Sequence, residues 1–264
     1  MTEDELILTA VLNCSRADLL SQKRELSDEQ KKHIADIRSR RNAGEPLQYI
    51  LGFTEFMGLP IIVNHNVLIP RPETEYLIEK VLSRVNDKNM EMKVLDLCTG
   101  SGNVAIALAY HLPKAKVTAV DISEGALEIA RYNAVQNKVD KKITFFCSPL
   151  DKFLYDSDRE EFDLIVSNPP YVPSGKMLDL PQDVQAEPKI ALDGGEDGMD
   201  FYRLIINNAY FLMQTECLLA LETGEDQRRD LEEIVCALPY YKDISFETDL
   251  NAKERYLFLK KGRS

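Results

Sequence analysis

The chain has 264 residues, 44% of them hydrophobic, which supports one large domain, or a typical domain plus a small one, around a packed core. A net charge of −12 argues against a partner gripped through its phosphates and for a protein or small-molecule substrate. No apolar run reaches membrane-spanning length and the start, Met1-Thr2-Glu3-Asp4-Glu5, is acidic, unlike a secretory signal or transit peptide, so a cytoplasmic location is expected.

The first 45 residues are rich in helix formers. Thr2 followed by Asp4 and Glu5, and Ser27-Asp28-Glu29-Gln30, read as helix starts with acids in the first turn. With Ile34 and Ile37 at helical spacing, they predict a small bundle of short helices. Arg38-Ser39-Arg40-Arg41 is a local basic cluster, better explained as a solvated helix face than as a phosphate-binding patch. The β-prone runs Tyr49–Phe56 and Leu59–Val63, on either side of Met57-Gly58, predict a hairpin. Pro70-Arg71-Pro72 ends it, and a helix from Glu73 to about Val85 follows, with Pro72 near its first position.

From Lys93 the pattern alternates. Strands are predicted at Lys93–Leu97, Lys116–Val120, Ile143–Cys147, Phe162–Val166 and Cys217–Glu222, with weaker ones at Tyr241–Phe246 and Arg255–Leu259. Helices are predicted at Val104–His111, Gly125–Gln136, Met199–Leu212 and Gln227–Leu238. This is an α/β chain with a mostly parallel sheet covered on both faces. The last two strands lack a full helix between them, which predicts an antiparallel edge. The long segment Val172–Asp197 has the length of a lid or substrate-binding loop. Cys14, Cys98, Cys147, Cys217 and Cys236 form no C-x-x-C pair and His33, His65 and His111 lie far apart, so neither a disulfide framework nor a metal site is expected.

Two segments carry chemistry. Val94-Leu95-Asp96-Leu97-Cys98-Thr99-Gly100-Ser101-Gly102 runs from a strand through a glycine turn into a helix, and Asp121 ends the next strand. Glycines allow close backbone approach to a ligand, and a carboxylate at the second position accepts from ribose hydroxyls, so a nucleoside-like ligand is expected. The G-x-G-x-x-G spacing of dinucleotide sites is not met, since Asn103-Val104-Ala105 follows Gly102. A tight turn in which Asp121 only caps the next helix is the plainer alternative. The second segment is Phe162-Asp163-Leu164-Ile165-Val166-Ser167 leading to Asn168-Pro169-Pro170-Tyr171. A planar amide or amino nitrogen is a poor nucleophile with two N–H donors, which the Asn168 side-chain oxygen and the Pro169 carbonyl can both accept. The prolines stiffen these acceptors, and Tyr171 offers an aromatic face to a flat group or a cationic methyl donor. Taken alone, the tetrapeptide could simply be a turn that ends a strand.

With these motifs the sequence resembles the HemK/PrmC family, the N5-glutamine methyltransferases of peptide chain release factors. The likeness extends to Glu45-Pro46-Leu47-Gln48-Tyr49-Ile50-Leu51-Gly52, Val67-Leu68-Ile69-Pro70-Arg71-Pro72-Glu73-Thr74-Glu75, and Glu187-Pro188 with Ala191-Leu192-Asp193-Gly194-Gly195. The resemblance implies a class I methyltransferase with a Rossmann-like sheet over residues 73–264. A small helical domain with a β-hairpin linker, residues 1–72, would precede it and help hold the substrate. It implies S-adenosyl-L-methionine as methyl donor and S-adenosyl-L-homocysteine as product. The implied partner is a class 1 release factor with its Gly-Gly-Gln glutamine, with no nucleic acid and no membrane, and the chain is expected to be a monomer. Cys98, Thr99, Gly100, Ser101, Gly102, Asp121 and Asn168 would line the cofactor, Asp96 would place the turn, and Asn168, Pro169, Pro170 and Tyr171 would hold the glutamine. Asn168, Pro169 and Tyr171 would be the catalytic residues.

Three positions depart from the family's pattern. Cys98 replaces the usual glycine, so the backbone there is expected to avoid glycine-only geometry. Ser148-Pro149-Leu150 replaces an acid and an aromatic near the adenine, and Asn251–Arg255 lacks a glycine. The alternatives are a ribosomal-protein glutamine methyltransferase, an adenine-N6 nucleic-acid methyltransferase, and a catalytically silent binding module. Gln48-Tyr49 and Arg71–Glu75 count against the first, the acidic charge against the second and the intact Asn168–Tyr171 against the third.

Overall fold

A computed structural model describes residues 2–21, 25–156 and 161–262. The chain begins with helices α1 (Glu3–Leu12), α2 (Arg16–Ser21), α3 (Asp28–Asn42) and α4 (Leu47–Leu51). Thr2 and Ser27 cap α1 and α3 through reciprocal capping boxes with Glu5 and Gln30, as their spacing predicts. Ile7, Ile34, Ile37 and Leu47 form a core of their own. The basic cluster is spent on neighbouring acids: Arg38 pairs with Asp4 at 2.7 Å, Arg40 Nε donates to Glu45 at 2.8 Å, and Arg41 pairs with Glu3 at 3.1 Å.

Tyr49–Leu51, predicted as part of a strand, belongs to α4 instead. Leu47 is buried in the N-terminal cluster and Tyr49 in the main core, on opposite sides of this short helix; the Tyr49 hydroxyl donates to the Val67 carbonyl at 2.5 Å, and Gly52 ends the helix at φ 82°. The hairpin is the shorter pair β1 (Phe53–Phe56) and β2 (Leu59–Ile62). Met57 and Gly58 both have positive φ, 51° and 77°, as a two-residue hairpin loop with matching twist requires. Helix α5 (Pro72–Arg84) follows with Pro72 at its start.

Among the described residues, seven strands form one sheet: β3 (Met92–Leu97), β4 (Ala115–Asp121), β5 (Ile143–Cys147), β6 (Phe162–Ser167), β7 (Met213–Glu222), β8 (Tyr241–Thr248) and β9 (Glu254–Lys261). Their order is β5-β4-β3-β6-β7-β9-β8. The first five are parallel, and β9 inserts antiparallel between β7 and β8. The reversed strand therefore lies one in from the edge. Between the strands run α6 (Asn103–His111), α7 (Glu124–Gln136), α8 (Leu150–Asp156), α9 (Gln182–Gln185), α10 (Asp200–Asn208) and α11 (Arg228–Cys236). The predicted helix Met199–Leu212 ends earlier, with Ala209–Leu212 tightening into a 3-10 turn.

Val94, Leu95 and Leu97 are fully buried because both sheet faces are covered. One apolar cluster joins the sheet to α5, α6, α7 and the hairpin, and the other to α8, α10 and α11. Strand order reverses where β3 meets β6, so the crevice beyond their carboxyl ends is the expected ligand position. The glycine turn leaves β3 there, and Asn168–Tyr171 leaves β6 beside it.

Candidate active site

The glycine turn is held by contacts its own sequence provides. Asp96, buried at the end of β3, accepts from Thr99 Oγ1 at 2.5 Å and from the Ala105 amide of α6 at 3.1 Å, so it does place the turn. Burial, opposed by these bonds, raises its pKa to about 7. Gly100 donates its N–H to Asp121 Oδ2 at 2.8 Å, and Ser123 N–H reaches Oδ1 at 2.9 Å. Burial raises the Asp121 carboxyl from its ordinary value. Each oxygen keeps a lone pair for a further donor.

A cavity of about 260 Å³ opens over this turn, lined by Cys98, Gly100, Asp121, Asn168 and Pro170 among others. Ser148 and Leu150 also line it, so the segment that departs from the family pattern does face the cavity. Its far wall is Val67 and Leu68 from the hairpin linker and Ile190 and Phe201 from the segment after β6. A smaller cavity of about 30 Å³ is lined by Thr99, Ser101, Thr74 and Arg71. Leu68, Cys98, Gly100 and Asn168 border both. A Cβ at Gly100 would meet nothing within 4 Å, so the backbone there is open to a ligand.

Three predicted site residues line neither cavity. Gly102 caps α6 at φ 79°, and a Cβ there would come within 2.9 Å of Ala130, so this glycine serves helix packing. Pro169 is buried beneath the motif. Tyr171 packs partly buried on the second core, where burial raises its pKa, and its carbonyl accepts from Gln227 Nε2 at 3.0 Å. Gly194 comes so close to this stretch that a Cβ would lie 2.7 Å from Tyr171 Cα.

Cys98 adopts φ 61°, in the left-handed region. An L residue reaches it at a cost of about 1 kcal/mol, whereas the more extreme glycine-only regions stay closed to it. The Cys98→Gly variant is therefore expected to fold with stability within about 1 kcal/mol of the parent in urea denaturation, while β-branched Cys98→Val loses about 2 kcal/mol. The missing C-terminal glycine is handled in the same way. Ala252 sits at φ 60°, and Asp249 Oδ1 ties the turn by accepting from Asn251 and Lys253 amides at 2.8 and 3.0 Å.

Several contacts lie outside the sequence reading. Asn133 of α7 donates to the Ser101 and Ile62 carbonyls, both at 3.0 Å, linking the glycine turn to the hairpin. Glu187 accepts from the Ile69 amide at 2.9 Å and pairs with Arg71, pinning the segment after β6 to the hairpin linker. That segment contains α9 and two 3-10 turns, and it reaches the N-terminal helices through Asp183 and Arg41 at 3.4 Å.

The sheet order, the glycine turn and the motif after β6 define a class I methyltransferase. Solved structures share the fold: the hMettl16 catalytic domain matches at TM-score 0.64 and 15% identity, covering 90% of this chain and 82% of that one. A Pyrococcus furiosus methyltransferase matches at TM-score 0.57 and 18% identity, covering 90% and 100%. Two protein families match, the PrmC N-terminal domain over residues 2–52 and the methyltransferase small domain over residues 74–195. Curated relatives named release factor glutamine methyltransferase include those of Moorella thermoacetica (37% identical, 96% of this chain and 88% of the relative) and Coxiella burnetii (38%, 98% and 91%). That of Geobacter sulfurreducens is 41% identical over 85% of this chain and 77% of the relative. The chain belongs to the HemK/PrmC family of release factor glutamine methyltransferases.

Proposed function

We propose that this chain transfers the methyl group of S-adenosyl-L-methionine to the side-chain nitrogen of the Gly-Gly-Gln glutamine of class 1 release factors, leaving S-adenosyl-L-homocysteine. The observation that carries this reading is the position of Asn168, on the border of both cavities at the end of β6. The larger cavity has the groups an adenosine needs: an apolar wall of Val120, Ile122 and Leu150, and Asp121 with free lone pairs for ribose hydroxyls. The amino-acid tail would lie over the glycine turn, toward the smaller cavity. The reacting sulfur would then lie near their junction, which Asn168 borders.

When bound, the sulfonium supplies an electrophilic methyl carbon. Asn168 Oδ1 and the Pro169 carbonyl would accept the two N–H groups of the glutamine amide, orient its nitrogen, and favour positive charge developing on it; as the N–C bond replaces the C–S bond, one of these protons would be released to solvent, leaving a neutral N-methyl amide. The release-factor loop would reach the two cavities beside Asn168, on a chain that acts as a monomer in the cytoplasm.

The test is incubation with methyl-labelled donor and purified release factor. Label is expected on the wild-type factor and none on a factor whose Gly-Gly-Gln glutamine is changed to glutamate. Equal labelling of both would overturn the substrate assignment.

A further inference from the structure

A side-chain amide is nearly symmetric in shape, so packing alone does not decide whether Asn168 shows its oxygen or its NH2 to a substrate. The choice matters, because an inward NH2 would face the N–H donors of a glutamine amide. Three residues far apart in sequence settle it. Asn168 Nδ2 donates to Thr74 Oγ1 at 3.1 Å, and the Thr74 hydroxyl donates to Glu222 Oε2 at 2.6 Å. Thr74 has one hydrogen, and the carboxylate takes it, as a charged acceptor outcompetes a neutral one. Only lone pairs of Thr74 then face Asn168, which must present its NH2 to them and turn its oxygen away.

The fold builds this chain of contacts deliberately in space. Ser167 pairs with Leu221 across β6 and β7, so Asn168 and Glu222 leave neighbouring strands at the same level. Thr74 comes from the first turn of α5, started by Pro72. Thr74 and Glu222 are each 2% exposed, and Thr74 is the side-chain hydrogen-bond partner of Glu222 among the described residues. A carboxyl buried without a directly paired cation is costly and needs a reason.

Resting on the glutamine-methylation reading, we infer that Thr74 and Glu222 are positioning residues that hold the Asn168 amide with its oxygen toward the acceptor nitrogen. Glu222 lines neither cavity and acts through Thr74, which borders the smaller one. Protonation of Glu222 would release the arrangement, since its O–H could donate to Thr74 and free the Thr74 hydrogen for Asn168 Oδ1. Burial raises the Glu222 pKa to about 7, with Glu73 of α5 adding to the rise and Thr74, Arg255 of β9 and Arg71 before α5 opposing it. Tyr171, Tyr202 and Tyr256 around it have raised pKa values and stay neutral in this range. Turnover is therefore expected to fall as pH drops through about 7.

The experiment measures kcat at saturating donor and release factor, with donor affinity by calorimetry. Thr74→Val is expected to lower kcat about 100-fold with a smaller loss of donor affinity, since Thr74 also lines the smaller cavity, while Thr74→Ser, which keeps the hydroxyl, recovers most of kcat. Glu222→Gln is expected to weaken the fall of kcat near neutral pH, leaving only what Asp96, raised to about 7 as well, contributes. Wild-type kcat in Thr74→Val, an equal loss in Thr74→Ser, or an unchanged acid limb in Glu222→Gln would overturn the relay while leaving the substrate reading standing. A wild-type chain that methylates no release factor would overturn the substrate reading and the relay with it.

Discussion

Asn168→Ala is expected to lower turnover by about 10²- to 10³-fold, the loss that follows removal of one aligned group from a preorganised polar site. The side chain is the only part of the motif that borders both cavities and has its orientation fixed from behind by Thr74. Alanine removes the acceptor but keeps the prolines, so the Pro169 carbonyl and the backbone path remain. Donor affinity is expected to change by less than about tenfold, because Asp121, Gly100 and the apolar wall are untouched. Single-turnover transfer measured alongside donor calorimetry separates the two. Near-normal turnover, or a loss confined to donor binding, would remove Asn168 from its role.

Arg71→Ala is expected to destabilise the fold by about 2–3 kcal/mol. Its partner Glu187 has a side chain 1% exposed, and breaking such a pair leaves a buried carboxylate uncompensated. The Arg71 side chain is 32% exposed, so water screens the pair and the loss falls below that of a fully buried one. Burial already raises the Glu187 pKa above its ordinary value of 4.5, and removing Arg71 raises it further. An acid with a raised folded-state pKa favours the fold at low pH and loses that advantage as pH climbs. The deficit should therefore be largest at about pH 8 and shrink toward pH 5 in urea titrations. Adding Glu187→Gln should recover much of it. A deficit independent of pH, or no recovery in the double variant, would show that the pair is not what ties these segments.

Much of the sheet was legible in the sequence. Ile143–Cys147 was placed to the residue, and β3, β4 and β6 to within a residue at each end. The central runs β3 and β6 are buried on both faces, while the edge strand β5 is largely exposed but rich in β-prone residues, and all are bounded by turns. Elements whose form depends on neighbours were harder. Tyr49–Leu51 has β-prone residues but is helical, packed between two apolar clusters that lie far apart in sequence. Helix α8 follows directly on Pro149 and is too short for a clear period, and the insertion of β9 between β7 and β8 is a matter of pairing, which periodicity does not encode.

The site divides in the same way. Asp96, Gly100, Asp121 and Asn168 are readable because their spacing follows strand ends. Gly102 and Tyr171, equally conspicuous in the motifs, serve packing more than the cavity walls. The contacts behind Asn168 span 94 and 148 positions, and Glu222 stands in the sequence as the last residue of an apolar strand. Thr74 and Arg71 lie in a segment whose family likeness is plain, yet their partners become visible only when β7 and the segment after β6 are folded against α5.

The most direct test of the account is site-resolved mass spectrometry of release factor after incubation with this chain and S-adenosyl-L-methionine. One added methyl on the glutamine side chain of the Gly-Gly-Gln peptide, absent when Asn168→Ala replaces the wild-type chain, is the expected result. An unmodified Gly-Gly-Gln peptide, or a methyl group carried by another residue, would contradict it.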